Sequence, residues 1–213
     1  MTPAERKQQA RAAVRALRRL YPDAHCELDF SNPLELAVAV ILSAQCTDKR
    51  VNMITKDLFK KYRTARDYAA AKPGQLEKMI RPAGFFNAKA KSIRAFSQAL
   101  VDEHGGKVPD AMADLLKLRG VARKTANVIL GTAFGKSEGI VVDTHMKRVS
   151  YRLALTDEKD PVKIERDLMA CVPRKEWNFF GHGMVWHGRR ACYARNPACP
   201  SCSLRKFCPQ RGV

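Results

Sequence analysis

The sequence predicts an all-α fold, and three observations carry that reading. Apolar residues recur three and four positions apart along most of the chain, the spacing of one helix face. Helix-start signals precede several of these stripes. Alternation of apolar and polar residues, the mark of a half-buried strand, is scarce. Gly139 to Val142 is β-branched but too isolated to found a sheet.

The elements follow in order. Thr2 as N-cap, Pro3 as the first helical residue and Glu5 three residues after the cap predict a capping box. The helix carries a stripe of Ala10, Ala13, Val14, Leu17 and Leu20, with arginines largely opposite, and stops near Tyr21-Pro22-Asp23. Asn32-Pro33 with Glu35 predicts the same box before a second helix, apolar almost all round and therefore buried. Further helices are expected over 48–62, 64–71, 73–80, 88–104 and 109–117, separated by Gly105-Gly106 and by proline-containing breaks. Residues 119–123 read as a tight turn, and Lys124 to Leu130 opens the next helix.

The chain of 213 residues fits about one or two domains. Its 46% apolar and 28% charged residues exclude a fibrous or mostly disordered chain. The longest apolar run, Leu36 to Leu42, falls far short of the ~20 residues that span a bilayer. No apolar stretch follows the basic N-terminus, so no secretory signal is expected and the expected compartment is cytoplasmic. Thirty-nine Lys and Arg against twenty-one Asp and Glu give a net charge of +18. That excess calls for a polyanion, nucleic acid before an acidic membrane surface.

Of seven cysteines, Cys26, Cys46 and Cys171 lie among apolar residues and are expected to be small core hydrophobes. Cys192, Cys199, Cys202 and Cys208 crowd together as Cys-x6-Cys-x2-Cys-x5-Cys. From Trp177 to Val213 there is no Asp or Glu and there are six Arg or Lys. Few aliphatic side chains are left to hold this stretch, so something other than a hydrophobic core must organise it. In a reducing compartment the four thiols point to a metal centre rather than to disulfides. Zinc usually takes two CxxC pairs, whereas an iron–sulfur cluster accepts unequal spacing. The single CxxC pair favours iron–sulfur and leaves zinc and unmetallated thiols open. Such a centre would hold Arg190, Arg195, Arg205 and Lys206 at the surface for phosphate contact.

A helix–hairpin–helix at Gly120, Val121, Ala122, Arg123 and Thr125 would offer backbone N–H groups to a phosphate without reading sequence. Lys124 sits at the positive end of the second helix, beside Arg119 and Arg123. That setting disfavours a cation and favours an amine nucleophile. The competing reading is one more phosphate-binding lysine. Asp143, in Val141-Val142-Asp143-Thr144-His145, reads as an N-cap. It also reads as a carboxylate that stabilises a cationic sugar or accepts a proton from Lys124.

Together these segments closely resemble the bacterial endonuclease III family of helix–hairpin–helix DNA glycosylases and AP lyases. The resemblance covers nearly the whole chain. It runs through Leu42-Ser43-Ala44-Gln45-Cys46-Thr47-Asp48, Asn87-Ala88-Lys89-Ala90, Gly120 to Leu130, Val142-Asp143-Thr144-His145, His187-Gly188-Arg189 and the cysteine signature. It implies two helical domains, residues 26–136 as a bundle with the hairpin and residues 1–25 with 137–213 around a [4Fe–4S] cluster. DNA would lie in a cleft between them with the damaged nucleotide flipped out.

The resemblance also implies residue roles. Lys124 matches the family's catalytic lysine, which forms a Schiff base at C1′ and cleaves the strand by β-elimination. Asp143 matches the catalytic aspartate, and the four cysteines match the cluster ligands. Gln45 matches a residue inserted into the gap left in the duplex, against a reading as a helix-surface glutamine. Phe85 stands where the family usually has an aliphatic wedge, against a reading as core. His145 matches a histidine near the active site, with a capping or supporting role equally open. The implied partner is double-stranded DNA with a damaged base or abasic site. One-to-one binding on DNA makes a monomer the simplest expectation, and the expected location is cytoplasmic and nucleoid-associated, with no membrane partner.

Two departures stand out. The family hairpin normally has Gly where Ala122 stands and often Pro where Arg119 stands. The Ala122 methyl group is expected to crowd an approaching phosphate or to strain the backbone, with Arg119 compensating electrostatically. The implied activity is removal of oxidised pyrimidines of the thymine glycol type. A monofunctional adenine or mismatch glycosylase is an alternative, opposed by Lys124 and by the absence of an added C-terminal domain. A non-catalytic DNA-damage-binding protein on the same scaffold is another, supported only by the altered hairpin and wedge.

Overall fold

A computed structural model describes residues 1–213. Every regular element is helical. The chain forms two compact units, residues 27–136, and residues 1–26 together with 137–213.

Helix α1 (Pro3–Leu20) starts as its sequence predicts. The Thr2 hydroxyl accepts from the Glu5 amide at 3.3 Å, and the Glu5 carboxylate accepts from the Thr2 amide at 2.7 Å. Helix α2 (Pro33–Leu42) departs from its expected box. Asn32 caps the Glu35 amide at 3.0 Å, but the Glu35 carboxylate takes the Ser31 amide instead, at 2.6 Å. The reach of Glu35 is satisfied one residue earlier, where the chain enters the helix.

The first unit continues with α3 (Asp48–Lys61), α4 (Ala65–Ala69), α5 (Gln75–Ile80), a 3₁₀ turn over Arg81–Ala83, α6 (Phe86–Glu103), α7 (Met112–Leu115) and α8 (Arg123–Ala133). Helix α2 packs against α3, α6 and α8, and α4 packs along α6. Leu36, Leu42, Ile93 and Phe96 are fully buried there. Several boundaries differ from expectation, two of them for clear local reasons. Helix α6 begins two residues before Ala88, because Phe85 turns the chain into the helix from a left-handed conformation. Helix α7 is one turn long, not nine residues. The Lys117 and Leu118 amides already bond three residues back, to Asp114 and Leu115, as the chain reverses into the hairpin.

The second unit contains α9 (Thr144–Arg152), α10 (Pro161–Cys171) and α11 (Trp177–Arg190). Helix α1 packs on α10 and α11, and α9 packs on α11. Leu17, Ile164, Leu168, Phe180 and Met184 form its centre. The buried Gln9 amide donates to Leu153 O at 3.1 Å and to Phe207 O at 2.7 Å, tying the C-terminal loop to the N-terminal helix. Of the three cysteines expected in the core, only Cys171 is buried; Cys26 and Cys46 are half-exposed. They lie in connecting segments on either side of α2. No helix is long and apolar enough to cross a membrane.

Candidate functional site

In residues 27–136 only two residues other than glycine have left-handed backbone, Gln45 at φ 53° and Phe85 at φ 47°. Left-handed backbone is unfavourable for side chains with a Cβ, more so for a bulky one, and persists where surroundings over-determine it. Both residues are exposed, Phe85 at 67%. Phe85 is therefore not core, and Gln45 lies in the turn between α2 and α3 rather than on a helix surface. Both line one groove with Ala44, Ser92, Gly120 and Thr125, enclosing about 710 Å³ of space open to solvent. The sequence-predicted residues Gln45, Phe85, Gly120 and Thr125 are thus brought together. Lys89, which also lines the groove, had no distinguishing signal beyond its place in a motif.

The hairpin adjoins this groove. Gly120 is left-handed at φ 85°, and a Cβ there would lie 3.2 Å from Ser92 Cβ. Glycine is required on both counts. Val121 is buried, and its amide bonds Leu118 O at 3.1 Å. Ala122 is the N-cap of α8 at φ −87° and ψ 168°. This is extended backbone that any residue adopts, so the expected backbone strain at Ala122 is absent. Its side chain makes no cap, which leaves first-turn amides to outside acceptors. Arg123 is the first helical residue, Lys124 the second and Thr125 the third. Lys124 is exposed, an amine on a rigid backbone at the positive end of a helix.

In the other unit, Asp143 caps α9, its carboxylate accepting from the Met146 amide at 2.7 Å. It remains half-exposed. His145 is the second residue of the helix and packs on Gly188 of α11. A Cβ at Gly188 would come within 2.9 Å of both His145 Cβ and Nδ1. Arg148 joins the two helices, placing Nη2 3.1 Å from His145 Nδ1 and donating to Gly188 O at 2.9 Å. This contact supplies the spatial reason for His187-Gly188-Arg189, which sequence presented only as a motif. Gly188→Ala is expected to destabilise the protein by about 1–3 kcal/mol through overpacking, measured by thermal or urea unfolding. An exposed helical Gly→Ala change would instead stabilise by up to about 1 kcal/mol, so the sign identifies the contact.

Cys192, Cys199, Cys202 and Cys208 line one pocket enclosing about 360 Å³, with Val149 and Leu204 among its walls. Arg152, 6% exposed, donates to Cys192 Sγ at 3.3 Å and to Tyr193 O at 2.6 Å. His187 lies between Tyr21 Oη, 3.2 Å from Nδ1, and Cys202 Sγ, 3.6 Å from Nε2. Burial pushes its imidazole down to about 4, so the ring is neutral near pH 7 and serves as one donor and one acceptor. Burial also pushes the Cys202 and Cys208 thiols up. Their thiolates therefore need a positive centre. Arg190, Arg195, Arg205 and Lys206 are exposed around this loop.

Residues 38–174 match the model of the HhH-GPD superfamily base excision DNA repair proteins. Endonuclease III of Synechocystis sp. is 48% identical over 206 residues, covering 97% of this chain and 94% of the relative. The structure of a non-covalent endonuclease III–DNA complex superposes with a TM-score of 0.91 at 46% identity, covering 96% of this chain and 95% of that one. A trapped endonuclease III–DNA covalent intermediate superposes with a TM-score of 0.90 at 45% identity, covering 96% of each chain.

Proposed function

Because the chain belongs to the HhH-GPD superfamily of base excision DNA repair proteins, within its endonuclease III family, we propose that it is a bifunctional DNA glycosylase and AP lyase. Its substrates are oxidised pyrimidines of the thymine glycol type in duplex DNA. The observation that carries the reading is the placement of Lys124. It is an exposed amine, second in a helix whose N-cap offers no side-chain oxygen, on a hairpin that borders the groove of Gln45 and Phe85.

The hairpin amides take a phosphate of the damaged strand. Extruding a nucleotide costs a few kcal/mol, least for a damaged or poorly paired base. Gln45 and Phe85 fill the vacated stack, and an aromatic ring can stack there as well as wedge. Lys124 Nζ attacks C1′ through its lone pair. The glycosidic bond breaks, and its electron pair leaves with the base, which gains a proton. Loss of the amine proton and opening of the sugar ring give an iminium between Nζ and C1′. Removal of a C2′ proton then breaks the C3′–O bond and releases the 3′ phosphate. Water hydrolyses the imine and regenerates Lys124. Asp143 supplies a carboxylate for positive charge developing on the sugar.

Cys192, Cys199, Cys202 and Cys208 would hold a [4Fe–4S] cluster. Their common pocket fits that donor set. When bound, the cluster pins the loop and its basic residues; no step above passes through it. Cys199→Ser is expected to lower bound iron well below about four per chain and to lower the unfolding temperature, checked by iron analysis and calorimetry.

The test of the activity is borohydride trapping on duplexes carrying thymine glycol or an abasic site. Adducts on both are expected. An adduct on the abasic duplex alone would leave a lyase with a different lesion. DNA binding without an adduct on either would overturn the bifunctional reading in favour of a monofunctional or non-catalytic protein.

A further inference from the structure

Lys89 is 5% exposed, although Asn87 and Ala88 before it are exposed. Its Nζ donates to Leu42 O and to Ala83 O, both at 2.8 Å. Leu42 is the last residue of α2, and Ala83 is the last residue of the 3₁₀ turn. Both carbonyls therefore stand at helical C-termini, where intrahelical donors run out and the dipole favours a cation. Leu42 lies three residues before Gln45, and Ala83 lies two residues before Phe85. The Lys89 backbone amide also donates to Phe85 O, at 3.0 Å. One buried residue thus bonds to both segments that hold Gln45 and Phe85 in left-handed backbone.

An apolar side chain would have filled this space if filling were the only requirement. A buried ammonium is retained only where its donors are used, and here two go to carbonyls that no other group satisfies within their helices. Ser43 Oγ bonds back to Val40 O at 2.8 Å, and Cys46 N bonds to Ser43 O at 3.1 Å. These local bonds shape the Gln45 turn but do not reach the Phe85 loop. Lys89 makes that connection.

We propose that Lys89 is a positioning residue that fixes the separation of Gln45 and Phe85, so that the two enter a duplex as one unit. The inference rests on the reading of these residues as the pair that fills the vacated stack. Lys89 does not touch the reacting atoms in this scheme. Its effect belongs to substrates that have a stack to fill.

The experiment compares AP lyase kcat/KM on a duplex abasic site and on the same abasic oligonucleotide as a single strand. The proteins are the full-length holoenzyme, Lys89→Met, Lys89→Gln, Gln45→Ala, Phe85→Ala and the double variant Lys89→Met/Phe85→Ala. Lys89→Met is expected to lower the duplex value by on the order of tenfold to a hundredfold, with the single-strand value within about twofold of the parent. Lys89→Gln keeps donors and recovers part of the loss. In the Phe85→Ala background, Lys89→Met adds little, because contacting residues that act as one unit are non-additive. If Lys89→Met is recovered unfolded, Lys89→Gln carries the same comparison. Equal losses on both substrates, full additivity in the double variant, or an unchanged duplex value overturns the inference alone. If Gln45→Ala and Phe85→Ala leave the duplex-to-single-strand ratio unchanged, the stack-filling reading falls and this inference falls with it.

Discussion

Lys124→Ala is expected to erase strand cleavage while leaving the fold intact. Lys124 is exposed and second in α8, so no packing is lost. Alanine is the better helix former, and removing a cation from the positive end of a helix gains about 0.3–1 kcal/mol. The unfolding temperature should therefore hold or rise slightly. Activity should move the other way. Loss of a covalent nucleophile lowers turnover by about 10⁴-fold or more, and no borohydride adduct should form on either duplex. DNA affinity should fall only by the share of one phosphate contact. Gel analysis of cleavage and trapping, with calorimetry on the same preparation, checks both halves. Normal cleavage by a well-folded variant would place the nucleophile elsewhere.

Asp143→Asn is expected to separate the two roles of that residue. Asparagine caps helices about as well as aspartate, so an oxygen remains for the Met146 amide, now at 2.7 Å. The stability change should stay below about 1 kcal/mol. Base removal should drop by about 10²–10⁴-fold, the usual scale for a positioned acid–base or charge-stabilising group. Asp143→Ala should lose the same activity and a further ~1 kcal/mol of stability with the cap. Single-turnover base release and urea unfolding on both variants distinguish charge from cap. Wild-type base release by Asp143→Asn would make Asp143 a structural residue only.

What sequence made legible was local. The Thr2–Glu5 box involves neighbours, and its letters suffice. The Glu35 box has the same letters, but the carboxylate reaches Ser31, a choice set by how the chain enters α2. Lys124 and Asp143 could be read by resemblance, since each sits in a contiguous motif. The groove could not, because Gln45, Phe85 and Gly120 are distant in sequence and meet only when α2, α6 and α8 pack. Lys89 was hidden for a related reason. A lysine near a helix start normally marks a solvated face, and only the fold shows its two carbonyl partners. Ala122 reversed the expectation of strain because the N-cap position asks for extended backbone, which alanine adopts freely.

The unit that carries the cysteines is assembled from both ends of the chain. During synthesis, residues 27–136 can emerge and fold as one contiguous body. Helix α1 cannot settle with them, because its partners α10 and α11 begin at Pro161 and Trp177. Ala10, Ala13, Val14 and Leu17, all buried in the finished molecule, thus wait uncovered through most of translation. The four cysteines leave the ribosome after both of those helices. Docking of α1 and closure of the cysteine loop therefore both wait for residues beyond Pro161.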